Sequence, residues 1–133
     1  MIAELQQAVA RYAHALDELN VPELEVVLAE DTTWTFTMPG QRVLGPVSGR
    51  KAVLGFIRAG HTAQAGRTRH HLSNVVVTTV DAATAEVRAY LLQTGNTGES
   101  IQIISTGVYT FGLRQSDGAW RIAELNLTLD NVL

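Results

Sequence analysis

The side chains of this chain that could carry out acid–base chemistry centre on two adjacent histidines, His70 and His71. They lie in a stretch rich in β-branched residues, which predicts a strand. Successive side chains of a strand point to opposite faces, so His70 shares a face with Leu72 and Asn74. Polar groups that end an apolar stripe are what a small-molecule site requires, and an imidazole there could accept a proton near neutral pH.

The face that begins with His70 continues in apolar residues, at Leu72, Val76 and Val80. This pattern favours it as the interior face of the sheet. Two other interpretations remain open: the face of Val75 and Val77 could lie inside, or one histidine could only satisfy a hydrogen bond in the core. The two histidines point apart in every case and cannot share a metal ion, so we expect no metal site.

A carboxylate and a phenol lie on the first predicted helix. Asp17 follows Val9 and Ala13 in one i, i+4 row, which places it at the margin of an apolar stripe. A carboxylate near a helix C-terminus is disfavoured by the helix dipole, so spacing alone favours a solvated Asp17. Tyr12 belongs to the stripe itself, and its position is equally compatible with core packing and with a hydrogen bond to a substrate oxygen.

Three helices are predicted to position these groups. Spacings of three and four define the first, which ends before Pro22 because a residue that precedes proline avoids the helical region. Its stripe is Ile2, Leu5, Val9, Tyr12, Leu16 and Leu19. The second helix runs from Pro22 to about Ala29. The third follows a Ser48 cap, and its expected buried side is Ala52, Val53, Phe56 and Ile57.

The rest of the chain is predicted to form strands. A strand over residues 32–38 precedes a loop or hairpin over residues 39–49, and long strands follow at 69–80, 84–94, 100–113 and 119–129. The turns between the long strands have residues that join antiparallel neighbours. Helices followed by a run of strands predict the α+β class, and no linker or repeat divides residues 1–133, so we predict one domain. Long strands curl, so helices on one face would enclose a cavity.

Composition excludes several function classes. The net charge is −3 and the basic residues are scattered, so we expect no nucleic-acid partner. No apolar run approaches the ~20 residues that span a bilayer, and the start of the chain does not have the pattern of a secretion signal. The absence of cysteine excludes disulfides and a thiol nucleophile. We therefore expect a cytoplasmic protein with no membrane partner.

Three segments, in this order along the chain, resemble the SnoaL-like family of the NTF2-like superfamily. They are residues 11–17 (RYAHALD) with 28–31 (LAED), residues 49–53 (GRKAV) with 68–74 (TRHHLSN), and residues 107–109 (GVY) with 117–122 (DGAWRI). Together they cover nearly the whole chain. The resemblance implies a cone-shaped fold in which three helices pack on a strongly curved, mixed and mostly antiparallel sheet. It also implies a homodimer or homotrimer that packs through the sheet.

The resemblance implies a catalytic pair as well. Scytalone dehydratase and hexachlorocyclohexane dehydrochlorinase combine a helix aspartate with a strand histidine, and those positions here hold Asp17 and His70. The dehydrochlorinase also has a His-x-x-x-Asn spacing, which His70 and Asn74 keep, and this favours His70 over His71. Bile-acid 7α-dehydratase is similar in having a tyrosine five residues before its aspartate, as Tyr12 stands before Asp17.

These residues together predict a cofactor-independent lyase or isomerase, with dehydration as the expected reaction. Asp17 would orient His70, His70 would remove a proton from a hydrophobic carbonyl or hydroxyl compound, and Tyr12 would donate to the developing oxyanion. The side chains expected to contact substrate are Trp34, Asn74, Phe56 and Met38. Two alternatives are a polyketide-cyclase-like aldol enzyme, which needs a larger substrate, and a non-catalytic small-molecule binding module.

Overall fold

The computed structural model of the chain describes residues 1–40, 43–65 and 67–132. Its helices are α1 (Ile2–Glu18), α2 (Val21–Val27) and α3 (Arg50–Ala63). Its strands are β1 (Leu28–Thr37), β2 (Leu44–Ser48), β3 (Thr68–Val80), β4 (Thr84–Asn96), β5 (Ile101–Ser116) and β6 (Ala119–Leu129). The predicted α+β class, with three helices packed on a mixed and mostly antiparallel sheet, is confirmed.

The strands form one open sheet in the order β2-β1-β6-β5-β4-β3. Strand β1 pairs with β6 in parallel, and all the other neighbouring strands are antiparallel. Helix α1 packs against β3 and β6, and α3 packs against β1 and β2. The helices therefore cover one face of the sheet, and the side chains between the two layers form the core.

Of the predicted apolar stripe of α1, Leu5, Val9 and Tyr12 are buried, Leu16 and Leu19 are partly buried, and Ile2 is exposed at the start of the helix. The helix ends in a left-handed residue, Leu19, after which the N–H of Asn20 donates to the carbonyl of Ala15 at 2.9 Å. Asn20 then caps α2 by accepting a hydrogen bond from the backbone of Glu23, and proline occupies the first turn as predicted. No helix of the described residues is long and apolar enough to cross a lipid bilayer.

Several predicted boundaries differ from the structure. Helix α2 ends at Val27, and the chain passes directly into β1, so the strand begins four residues earlier than predicted. Residues 44–48 form β2, and Gly49 rather than Ser48 precedes α3, without a side-chain cap. Pairing with β1 fixes Ser48 in an extended conformation, because it lies opposite Thr33. On α3, Val53 and Ile57 are buried as predicted, whereas Ala52 and Phe56 are exposed.

Strand β3 changes face in its middle. Ser73 lies opposite Tyr90 and Val76 lies opposite Arg88, so β3 has one residue more than β4 between these pairs. The extra residue is accommodated at Asn74, whose φ is +52°, and this is a β-bulge. The interior face therefore passes from His70 and Leu72 to Val75 and Val77, two half-buried side chains that pack against the core, whereas Val76 and Val80 are exposed. The predicted interior face is thus correct before the bulge and wrong at Val76, because simple alternation assumes an unbroken strand. A second register shift, between Val77 and Thr79, returns Val80 to the face of the buried Ala85, although Val80 itself is exposed.

The left-handed backbone at position 74 limits which residues can replace Asn74 without loss of stability. Asparagine tolerates the left-handed region, whereas a β-branched side chain does not. We expect Asn74→Val to lower the free energy of unfolding by about 1–2 kcal/mol, and Asn74→Gly to change it by less than about 0.5 kcal/mol. Urea denaturation measures both, with Ser73→Val as an exposed control in the same strand. Equal losses in the two Asn74 variants would contradict a bulge at this position.

Candidate active site

A carboxylate–imidazole pair joins the end of α1 to the start of β3. Asp17 Oδ1 lies 2.5 Å from His70 Nδ1, and Asp17 Oδ2 accepts a hydrogen bond from the backbone N–H of His70 at 2.8 Å. The two side chains are 10% and 13% exposed, respectively. Hydrogen bonds to a charged group contribute about 1.5–3 kcal/mol each, which offsets the unfavourable position of Asp17 near the helix C-terminus. The carboxylate is therefore a paired interior group and not the solvated one that spacing alone favours.

The contact fixes the tautomer of His70. An ionised carboxylate only accepts hydrogen bonds, so Nδ1 of His70 carries the hydrogen and Nε2 holds the lone pair of the neutral ring. Within the part of the chain that the structure describes, Nε2 has no hydrogen-bond partner. Because His70 also lines a cavity, its second nitrogen is available to a ligand.

That cavity has a volume of about 200 Å³ and lies between α1, α3 and the inner face of the sheet. Three aromatic side chains form one wall: the Trp34 ring stacks on Phe36 with centroids 5.4 Å apart and packs on Phe56 with centroids 4.7 Å apart. Phe56 is 43% exposed, which places it at the mouth. A cavity of roughly 150 Å³ is enough to bind benzene, so this one suits a single ring with a short substituent.

Two buried tyrosines stand in the floor of the cavity. Tyr12 and Tyr109 both line it, are 1% and 2% exposed, and have ring centroids 6.3 Å apart in an edge-to-face arrangement. Burial, followed by the proximity of Tyr109 and Asp17, raises the pKa of Tyr12 well above its usual value of 10.0. Burial also raises the pKa of Tyr109. Both phenols are therefore neutral hydrogen-bond donors in the folded protein and not bases.

The amide of Gln93 is a polar group of the cavity that the sequence reasoning missed. Gln93 lies opposite His70 in the β3–β4 pairing and is 6% exposed. Ser105 Oγ donates to Gln93 Oε1 at 3.1 Å, whereas Gln93 Nε2 has no partner in the described part of the chain. A signal was present in the sequence, because Gln93 ends an alternating buried stripe on β4 that consists of Ala85, Val87, Ala89 and Leu91.

Four of the predicted site residues line the cavity: Tyr12, Trp34, Phe56 and His70. Asp17 lies behind the imidazole and does not line the cavity itself, so it can act on a ligand only through His70. The structure thus places Tyr12 and His70 in the lining of the same cavity, with Asp17 bonded to His70 from behind. Their catalytic roles stay predictions.

Two predicted substrate contacts lie elsewhere. Asn74 is exposed at the bulge of β3 and does not reach the cavity, because the bulge turns it away from the face of His70. Met38 packs against the core but lies just beyond β1, which ends at Thr37, and it is not part of the cavity wall. The strand carries Trp34 and Phe36 to the cavity and ends before the next residue of that face.

The other histidines differ in their surroundings. His71 is exposed on the opposite face of β3, where its Nε2 lies 3.1 Å from Thr94 Oγ1. His61 of α3 lines the cavity. Its Nε2 donates to the backbone carbonyl of Asp17 at 3.2 Å, and this hydrogen bond gives a partner to one of the carbonyl groups that are left open at the end of α1. Among residues 1–40, 43–65 and 67–132, no group of three or more His, Asp or Glu side chains is arranged to hold a metal ion.

A model of a known protein family matches nearly the whole chain. The model of the SnoaL-like domain matches residues 1–126. The chain belongs to the SnoaL-like family. The predicted resemblance is thereby confirmed for nearly the full length of the chain. No curated protein matches this SnoaL-like domain in sequence.

Solved structures share the fold of this SnoaL-like domain. An NTF2-like protein with a cystatin-like fold from Novosphingobium aromaticivorans has a TM-score of 0.80 at 20% identity, over 98% of this chain and 82% of that one. A Mycobacterium tuberculosis protein of unknown function has a TM-score of 0.78 at 27% identity, over 99% and 73%. The β subunit of benzoate 1,2-dioxygenase from Burkholderia mallei has a TM-score of 0.76 at 19% identity, over 98% and 91%. The NTF2-like fold is therefore established.

Because Tyr12 and Tyr109 are buried, we expect the free energy of unfolding to decrease at alkaline pH. Folding raises the pKa of Tyr12 and Tyr109, so their contribution to stability is complete below the unfolded value of about 10 and is lost as the pH rises above it. In a Tyr90→Phe background, which leaves only these two tyrosines, the free energy of unfolding should fall above about pH 10 by up to about 1.4 kcal/mol per pH unit and per phenol. Adding Tyr109→Phe should reduce the slope. Phenolate absorbance in the folded protein near pH 10 would contradict this burial.

Proposed function

We propose that this domain is a cofactor-independent lyase, a dehydratase that acts on a small hydrophobic carbonyl compound. One observation carries the proposal: the Asp17 carboxylate holds His70 by two hydrogen bonds at the wall of an apolar cavity. A positioned imidazole with an orienting carboxylate is the arrangement of a general base. Nonpolar surroundings strengthen each hydrogen bond that the reacting atoms make.

The reaction follows from the atoms available. His70 Nε2 takes a proton from the carbon beside a carbonyl group, and the Asp17 carboxylate stabilises the imidazolium that forms. The electron pair of the broken C–H bond passes into an enolate, whose oxygen accepts a hydrogen bond from the Tyr12 hydroxyl. The enolate then expels a hydroxyl group from the β carbon. The imidazolium protonates that group, so water leaves and a carbon–carbon double bond remains.

The size of the cavity argues against the polyketide-cyclase alternative. An aldol cyclase of that kind needs a substrate with several rings or a long chain, whereas about 200 Å³ suits one ring with a short substituent. The aromatic wall of Trp34, Phe36 and Phe56 fits a planar ring by stacking. We therefore propose a monocyclic or similarly compact substrate.

A second candidate function is a non-catalytic binding module. It is favoured by the structural likeness to the β subunit of benzoate 1,2-dioxygenase, which is named as one subunit of a larger enzyme. Such a module would bind a compact ligand in the same cavity without turnover. The two candidates differ in whether bound ligand exchanges protons with solvent.

We further propose that the chain assembles as a homodimer or homotrimer through the outer face of the sheet. That face exposes apolar side chains, with Val76 at 56% and Tyr90 at 46%, on neighbouring strands. We expect sedimentation to give twice or three times the mass of 14.4 kDa. Replacing Tyr90 by Glu should shift the protein towards monomer, whereas a monomeric wild type would contradict the proposal.

The catalytic pair is tested by proton exchange in heavy water. We would screen compact ketones and β-hydroxy carbonyl compounds by NMR for exchange beside the carbonyl and for loss of water. Asp17→Asn and His70→Ala should each lower the rate at least ~100-fold, the low end for loss of a general base. His71→Ala and Glu18→Gln are the controls, because they change exposed neighbours of the same type.

Near-wild-type rates in both variants of the pair, with a verified substrate, would remove the dehydratase proposal. Tight binding of a compact ligand with no exchange in the wild type would favour the binding module instead.

A further inference from the structure

The amide of Gln93 is a buried donor whose hydrogen bonds are incomplete. It is 6% exposed and lines the cavity, and its Nε2 has no partner among the described residues. Buried polar groups nearly always have a partner, so one that is left open beside a cavity indicates a ligand. The proposed reaction, as described above, does not use this group.

Ser105 is the hydrogen-bond partner of the Gln93 amide oxygen. Gln93 and Ser105 are direct cross-strand partners on β4 and β5, and Ser105 is 2% exposed. Its hydroxyl donates to Gln93 Oε1 at 3.1 Å, which anchors the oxygen and leaves the two N–H groups of Nε2 for another acceptor. A row of polar side chains thus crosses three strands, in the order His70, Gln93, Ser105.

Gln93 lies next to the proposed base, His70, on the inner face of the sheet. Gln93 lies directly opposite His70, and cross-strand partners on one face have Cβ atoms about 4.5–5.5 Å apart. The imidazole and the amide can therefore address neighbouring atoms of one small ligand. In a carbonyl compound, the carbon that loses its proton and the carbonyl oxygen are separated by only two bonds.

We propose that Gln93 donates a hydrogen bond from Nε2 to the carbonyl oxygen of the substrate while His70 acts on the adjacent carbon. The proposal rests on the proposed function and narrows it, because it requires a carbonyl oxygen beside the acidic carbon rather than an alcohol alone. As the carbonyl becomes an enolate, its oxygen gains negative charge and the hydrogen bond strengthens. An amide does not transfer its proton under these conditions, so Gln93 stabilises the charge and His70 alone moves protons.

The test uses binding and not turnover. The probes are 4-nitrophenolate, a planar ring with an anionic oxygen like that of an enolate, and 4-nitrotoluene, a ring of similar size without it. Gln93→Met removes the amide and keeps the chain length, and Gln102→Met is the matched control on an exposed glutamine. Calorimetry gives both Kd values, and absorbance gives the fraction of bound phenolate.

In Gln93→Met, we expect the Kd of 4-nitrophenolate to rise at least about tenfold and that of 4-nitrotoluene to change less than about twofold. Ser105→Ala keeps the amide but removes its anchor, and it should raise the phenolate Kd at least about threefold. If thermal melting shows that Gln93→Met does not fold, the phenolate Kd of Ser105→Ala decides the test.

An unchanged phenolate Kd in the folded variants overturns the inference, as does a wild type that binds neither probe. A wild type that prefers the neutral phenol to the phenolate also overturns it, because the Gln93 amide would then give an anionic oxygen no net stabilisation. Failure of the dyad variants to lower proton exchange would remove the proposed dehydratase but would leave the phenolate result standing, so the two failures are distinguishable.

Discussion

The two hydrogen bonds that Asp17 accepts from His70 determine what this cavity can do. A carboxylate at the end of a helix faces the negative end of the dipole, and it stays in the interior only if strong donors hold it. The backbone N–H and the ring of one residue supply both donors. The same contact attaches α1 to β3 and fixes the ring so that Nε2 remains for a ligand. Structure and chemistry thus depend on one pair of side chains.

The polar groups of the site lie where the apolar interior stripes of two strands end. On β4 the stripe ends at Gln93, and on β3 it ends at His70, directly opposite. Helices α1 and α3 cover this end of the sheet, and α1 adds the Tyr12 phenol. Because the surroundings are apolar, each of these few polar groups acts in a low-dielectric space, where hydrogen bonds to a developing charge are strong.

The bulge of β3 separates the site from the rest of that strand. Before Asn74, the interior face holds the cavity residue His70 and the apolar Leu72; after it, Val75 and Val77 pack against the core. Strand β3 is at the edge of the sheet, where an extra residue disturbs pairing on one side only. One strand can therefore supply both a catalytic candidate and ordinary core residues.

The sequence by itself determined the α+β class, the burial of the α1 stripe and the end of α1 before Pro22, because these depend on local periodicity and on the backbone limits of proline. It also indicated His70 as a polar residue that ends an apolar stripe. Tertiary structure decided the rest. The bulge at Asn74 arises from strand register, and Gln93 became a site residue only through pairing with β3. Likewise, spacing favoured a solvated Asp17, since no local pattern shows that a strand 53 residues away supplies its partners.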